Sequence, residues 1–303
     1  EGNVTTFGFE AKVGNVYYTT LAKAFAAAKS GDTLTFLCDV TGAGLAISKD
    51  ITVDMGGFKY TINQAVGSTG TESQGFQLLP EAKNVTIQNG KISVAAGTNV
   101  VWMFNDYAEK LTVKNVAIDC KNMVWSKSVY LIVANNQHGT NPCPVFENVT
   151  ISNYNAERPH ALIENNTQLT AQAGLNVVTD PGYSVKYVDG TYKVVANMVK
   201  VLDGDTEVGT YATLAEAIAA ASAGNTIQFL ADITEDVTIN KDLTIDGNDK
   251  NYTGNISVKG SAVDVIVKNV NFINGTGYAI TTNTIKSITV ENCTINDYGY
   301  GFL

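Results

Sequence analysis

Apolar and polar residues change rhythm twice along this chain, in the same order each time. In "YTTLAKAFAAAKSGDTLTFLCD" (18–39), Leu21, Ala24, Phe25 and Ala28 recur at helical spacing, and the apolar positions then alternate through "TLTFL". The stretch "YATLAEAIAAASAGNTIQFLAD" (211–232) repeats the pattern 193 residues later, with Leu214, Ala217, Ile218 and Ala221 on the corresponding face. A period of three to four giving way to a period of two predicts a short one-faced helix that leads into a strand. Thr213 and Glu216 read as a capping box, and Gly31 and Gly224 are placed to stop the helices in a left-handed turn. Lys23 stands where the first box wants an acid, so that cap is expected to be weaker.

Beyond each helix the pattern settles into short strands on one template. "NVTIQNGKISV" (84–94), "KLTVKNVAIDC" (110–120), "VFENVTISNYN" (145–155), "DVIVKNVNFIN" (264–274) and "SITVENCTIND" (287–297) share it. Each holds alternating β-branched or apolar residues, a polar residue, an asparagine and a second short strand. The shared asparagines are Asn89, Asn115, Asn148, Asn269 and Asn292. Asp246, Asn269 and Asn292 are spaced by 23 residues each, the mark of a unit that stacks on copies of itself. Asparagine suits a sharp corner because it tolerates left-handed backbone angles, and stacked amides can hydrogen-bond from one rung to the next. The reading places these amides at buried corners, with Val, Ile and Phe stacked inside. Intervals of 26 and 33 residues between Asn89, Asn115 and Asn148 predict insertions, in 97–108 and 120–143, where such scaffolds carry function. "LNVVTDPGYSVKYVDGTYKVVA" (175–196) alternates around Asp189-Gly190 and predicts an antiparallel closing hairpin.

The tyrosine–helix–"GDTLTFL" opening, the first rungs "DITVDMGG" and "DLTIDGN", and the repeated x-V-x-N-x-x-I rungs resemble the right-handed parallel β-helices of the pectate-lyase-like superfamily, as found in modular bacterial surface proteins. The resemblance implies a mainly β chain of two tandem β-helix modules, each opened by a short helix that plugs the solenoid. Module boundaries fall at 1–197 and 198–303, and the second module is expected to be incomplete, with an open C-terminal end available for self-association.

Composition narrows the chemistry. A net charge of −9 argues against nucleic acid, and no run of about 18 apolar residues is present to span a membrane. Four cysteines are too few and too scattered for a disulfide framework; Cys38 reads as a small buried hydrophobe, and Cys120 and Cys143 are the pair that could bond. The resemblance brings polysaccharide lyases and hydrolases to mind, but lyases of this fold pair calcium-binding acids with a basic residue, and Arg158 is the only arginine. The rung positions carry Gln88, Lys114, Glu147, Lys268 and Glu291, an alternation that suits neutralised stacking of charge rather than paired catalytic acids. Asp54 and Asp246 head their rungs without a partner at the same template position. His138 and His160 lie outside any metal motif, so neither metal nor cofactor is expected.

Trp102, Tyr107, Trp125 and Tyr130 lie in or near the insertions, and with Arg158 and His160 they are the residues a ligand would meet first. Aromatic faces can stack on sugar rings, although packing of the insertions onto the wall is the plainer role. The expectation is a non-catalytic structural or adhesion module of a bacterial surface or secreted protein. Two alternatives are a carbohydrate-binding or carbohydrate-cleaving site on the first module that meets glycan or a host surface, and self-assembly through the open end.

Overall fold

A computed structural model describes residues 8–124, 131–134, 138–139, 142–154, 163–164, 171–172, 174–188 and 190–303. The chain is mainly β and divides into two compact units, residues 1–195 and 196–303.

Each unit opens with an antiparallel hairpin and a helix of two turns. Helix α1 (Leu21–Ala27) buries Leu21 and Ala24, and α2 (Leu214–Ala220) buries Leu214, Ala217 and Ile218, on the faces that the spacing predicts. Thr20 and Thr213 are the N-caps, accepting the N–H groups of Lys23 at 3.3 Å and Glu216 at 3.1 Å. Glu216 reaches back to the N–H of Ala212, whereas Lys23 cannot, and Glu10 supplies the missing acid by accepting the Leu21 N–H at 2.7 Å. The C-termini differ from the sequence expectation. Both helices end on an alanine, Ala28 or Ala221, in extended conformation, and Gly31 and Gly224 turn left-handed only three residues later. The orphan carbonyls go instead to lysines. Lys49 Nζ donates to the oxygens of Phe25 and Ala28, and Lys241 Nζ to those of Ala219 and Ala221.

In the first unit the strands Asp32–Phe36, Ile51–Asp54, Asn84–Val94, Lys110–Asp119, Val145–Tyr154 and Leu175–Thr179 pair in that order, every one parallel to the next. A second sheet stacks Leu45–Ile47, Gln74–Leu78, Trp102–Asp106, Ile132–Ala134 and Ile163–Glu164, again all parallel. The opening hairpin, Ala11–Val13 with Val16–Tyr18, docks antiparallel on Asp32–Phe36, which makes that sheet mixed. The second unit repeats the plan. Thr226–Phe229, Leu243–Asp246, Ile256–Lys268, Tyr278–Glu291 and Tyr300–Phe302 form one parallel run, and Ile233–Thr234, Asn251–Thr253, Asn271–Ile273 and Thr294–Asn296 the other. The strands on either side of the Asp189-Gly190 dipeptide, Tyr183–Val188 and Thr191–Ala196, pair with each other as expected, while Leu175–Thr179 at the start of that stretch continues the parallel sheet. Leu175 and Val177 fall in register with Val149 and Ile151, so this strand extends the apolar pairing along the sheet.

Inward aromatic residues stack into columns. Phe36, Tyr60, Phe76 and Phe104 follow one another at 5.6, 6.1 and 5.1 Å in the first unit, and Phe229, Tyr252, Phe272 and Tyr298 at 6.0, 5.6 and 6.1 Å in the second. The two buried tyrosines direct their hydroxyls at the backbone oxygens of Ala43 and Glu235, so their polar atoms are satisfied at the core edge.

Candidate functional site

Backbone geometry places the shared asparagines. Asn89, Asn115, Asn148, Asn269 and Asn292 have φ of 57°, 51°, 52°, 54° and 50°, the left-handed region that lets a strand turn a corner within one residue. Their amides run from one strand to the next. Asn89 Nδ2 donates to the Asp54 carboxylate at 3.1 Å, Asn115 Nδ2 to Asn89 Oδ1 at 3.1 Å, and Asn148 Nδ2 to Asn115 Oδ1 at 3.0 Å. In the second unit Asn269 donates to Asp246 at 3.0 Å and Asn292 to Asn269 at 3.5 Å. Asp54 and Asp246 are therefore the acceptor foot of each ladder. Burial raises the Asp246 pKa, but the Asn269 amide, the Asn248 N–H, Gln228 and Lys268 outweigh it and hold the carboxyl below its ordinary value.

The ladder corrects the expectation of buried corners, because Asn115 and Asn148 are exposed and Asn89 is half-buried. The corner bends the backbone outward, so the amides line the outside while Val and Ile on either side point in. An open groove of about 420 Å³ follows the first ladder, lined by Asn89, Asn115, Asn148, Lys91 and Thr150 among others. Beside it the rung charges pair as expected between Lys114 and Glu147, at 2.8 Å and exposed, and Lys268 meets Asp246 at 3.9 Å.

Trp102 and Tyr107 bracket the strand Trp102–Asp106, and both are half-buried. Trp102 lies opposite Gln74 in the parallel register, and its indole N–H and the Gln74 Oε1 are enclosed without hydrogen-bond partners. The Tyr107 ring meets His138 edge-on at 4.9 Å, and its hydroxyl accepts from Asn105 Nδ2 at 3.3 Å. Trp125, Tyr130, Arg158 and His160 lie outside the described residues. No disulfide joins Cys120 to Cys143, and Cys38 is half-buried rather than part of the core.

Between Trp102 and Tyr107 the structure adds a residue the sequence reading missed. Asp106 is completely buried; one carboxyl oxygen accepts the Ala108 N–H at 3.0 Å and the other has no partner. Burial pushes this carboxyl up to about 7 against the opposing pull of the Ala108 bond. The nearby Cys143 thiol is raised by its own burial and then by the Asp106 charge. The sequence shows only an acid ending the apolar stretch "WMFND" (102–106); the structure sets it in register with Leu78, where the neighbouring strand keeps an apolar side chain. A pKa near neutrality fits a proton-transfer group. Here the carboxyl is enclosed on both oxygens' sides, so its first consequence is for stability.

Among the described residues no helix is long and apolar enough to cross a membrane. No protein-family model matches the chain, and neither a curated protein nor a solved structure matches it.

Proposed function

We propose that each unit is a right-handed parallel β-helix and that the chain serves as a structural and adhesion module of a bacterial surface or secreted protein. The parallel pairing of each strand with the next support the winding, and parallel crossovers are right-handed in nearly all proteins. The observation that carries the functional reading is the asparagine ladder. It repeats in both units, starts on the same template acid, and commits the outward polar groups of successive rungs to one another. Such a surface stiffens each unit and leaves Asp54 and Asp246 engaged by amides instead of poised over a substrate. Two tests follow from this reading. Antibody raised against the chain is expected to label intact, unpermeabilised cells of the source bacterium, and label confined to the cytosol would contradict the reading. Incubation with pectin, alginate and host glycans is expected to leave the polymers uncut; depolymerisation would overturn it.

A second reading, carbohydrate binding by the first unit, is favoured by the groove along Asn89, Asn115 and Asn148, whose amides repeat at the spacing of neighbouring strands, with Asn115 and Asn148 exposed. Glycan-array binding that weakens in Lys91→Ala and Asn115→Gly would support it, and an array without hits would remove it.

A further inference from the structure

The two units provide an internal comparison at the corner beside the helix. Met198 and Glu10 occupy the same place in their hairpins: each N–H donates to the tyrosine before the helix, Tyr211 or Tyr18, and each carbonyl accepts from the end of the following strand, Leu230 or Leu37. Ala43 and Glu235 likewise correspond, since each carbonyl takes the hydroxyl of the core tyrosine, Tyr60 or Tyr252. The units have thus exchanged an acid between two positions. In the second, Glu235 rises from the corner and accepts the N–H groups of Leu214 and Ala215 at 2.9 and 3.1 Å. In the first, Glu10 takes the Leu21 N–H from the hairpin side, and the corner is reduced to Gly42-Ala43-Gly44.

A pocket lies at this corner of the first unit. A cavity of about 440 Å³ lies between α1 and this corner, walled by Leu21, Phe25, Leu45, Tyr60 and Val66, with Glu10, Thr20 and Thr41 also on its lining. The groove beside α2 is lined by Ala215, Ile218, Ala219, Val237, Thr238, Asn240 and Lys241, and its lining does not include the corner that Glu235 occupies. A carboxylate offers about four lone-pair sites, and Leu21 uses one, so Glu10 keeps acceptor capacity beside a cavity whose other polar side chains are the hydroxyls of Thr20, Thr41 and Tyr60.

We infer that this pocket of the first unit is a binding site for a small primary amine, its ammonium on Glu10 and its short apolar body against Leu21, Phe25 and Leu45. The site is independent of the scaffold and glycan readings. The test uses the full chain and n-butylammonium chloride, followed by ligand-observed saturation-transfer NMR, with 1-butanol and butyrate as neutral and anionic counterparts. Saturable binding is expected for butylammonium, with the alcohol and the acid at least tenfold weaker. Glu10→Met combined with Ala43→Glu copies the arrangement of the second unit, and Ala43→Gln fills the corner without charge; each is expected to weaken butylammonium at least tenfold while the melting temperature holds. Glu10→Gln keeps an acceptor for the Leu21 N–H and is expected to bring butylammonium to the level of the alcohol. Equal binding of ammonium and alcohol by the unaltered chain, or undiminished binding in both Ala43 variants, would overturn the assignment.

Discussion

Asp106 makes a quantitative prediction about stability and pH. Its carboxyl titrates near 7 in the folded chain, against an ordinary value of 3.8. Below about pH 4 both folded and unfolded chains hold the proton, and the group contributes nothing. As the pH rises, the unfolded chain ionises first and the folded chain does not, so stability falls by about 1.4 kcal/mol per unit until the folded carboxyl ionises as well. Over a gap of roughly three units, the loss reaches about 4 kcal/mol near pH 7 and stays constant above it. Asp106→Asn removes the ionisation and keeps the acceptor for the Ala108 N–H; its amide nitrogen replaces an oxygen that already lacks a partner. The variant should therefore be more stable than the parent by about 4 kcal/mol at pH 8, equivalent to about 10 °C in melting temperature for a unit of this size, and nearly equal at pH 4. Both tryptophans, Trp102 and Trp125, belong to the first unit's sequence, so urea unfolding followed by tryptophan fluorescence reports on it. The difference between variant and parent across pH isolates Asp106 from other titrating groups. A pH-independent difference, or a parent that gains on the variant between pH 4 and 7, would refute the reasoning.

Other substitutions test other parts of the fold. Asn115→Ala removes two amide bonds and places a Cβ-bearing residue without a compensating amide at φ 51°, for a loss of about 2–3 kcal/mol, whereas Asn115→Gly keeps the backbone at ease and should cost about 1 kcal/mol. Urea midpoints that rank glycine below alanine would contradict the left-handed corner. Leu214→Ala should cost about 2–5 kcal/mol, read by thermal unfolding in circular dichroism, because this side chain is fully buried under α2. At Gly44 an added methyl runs into the Gly75 carbonyl of the next strand, so Gly44→Ala is expected to lower stability by about 1–3 kcal/mol, and an unchanged urea midpoint would show that the strands lie farther apart.

Much of the fold was legible because repetition makes local chemistry visible. Leu21 and Leu214, the threonine caps and the left-handed asparagines each follow from residue type and spacing, and each sits where that chemistry requires. What escaped is non-local. Lys49 and Lys241 occupy one template position in both copies, but nothing in "ISKD" or "INKD" says that the ammonium turns back onto helix carbonyls some 20 residues earlier. Glu10 and Glu235 reach the same kind of N–H from opposite sides, which no alignment by offset reveals. The outward face of the ladder was misjudged because a corner residue can satisfy its amide along the stack without being buried. The polar break at Asn105-Asp106 could have been noticed, yet its burial depends on the neighbouring strands that enclose it.

A crystal structure of the full chain decides whether the strands wind in this way. Asn84–Val94, Lys110–Asp119 and Val145–Tyr154 are expected side by side and parallel, with Thr86 beside Thr112 and the amides of Asn89, Asn115 and Asn148 joined in one line. Antiparallel pairing of these strands, or asparagine side chains turned away from one another, would contradict that winding.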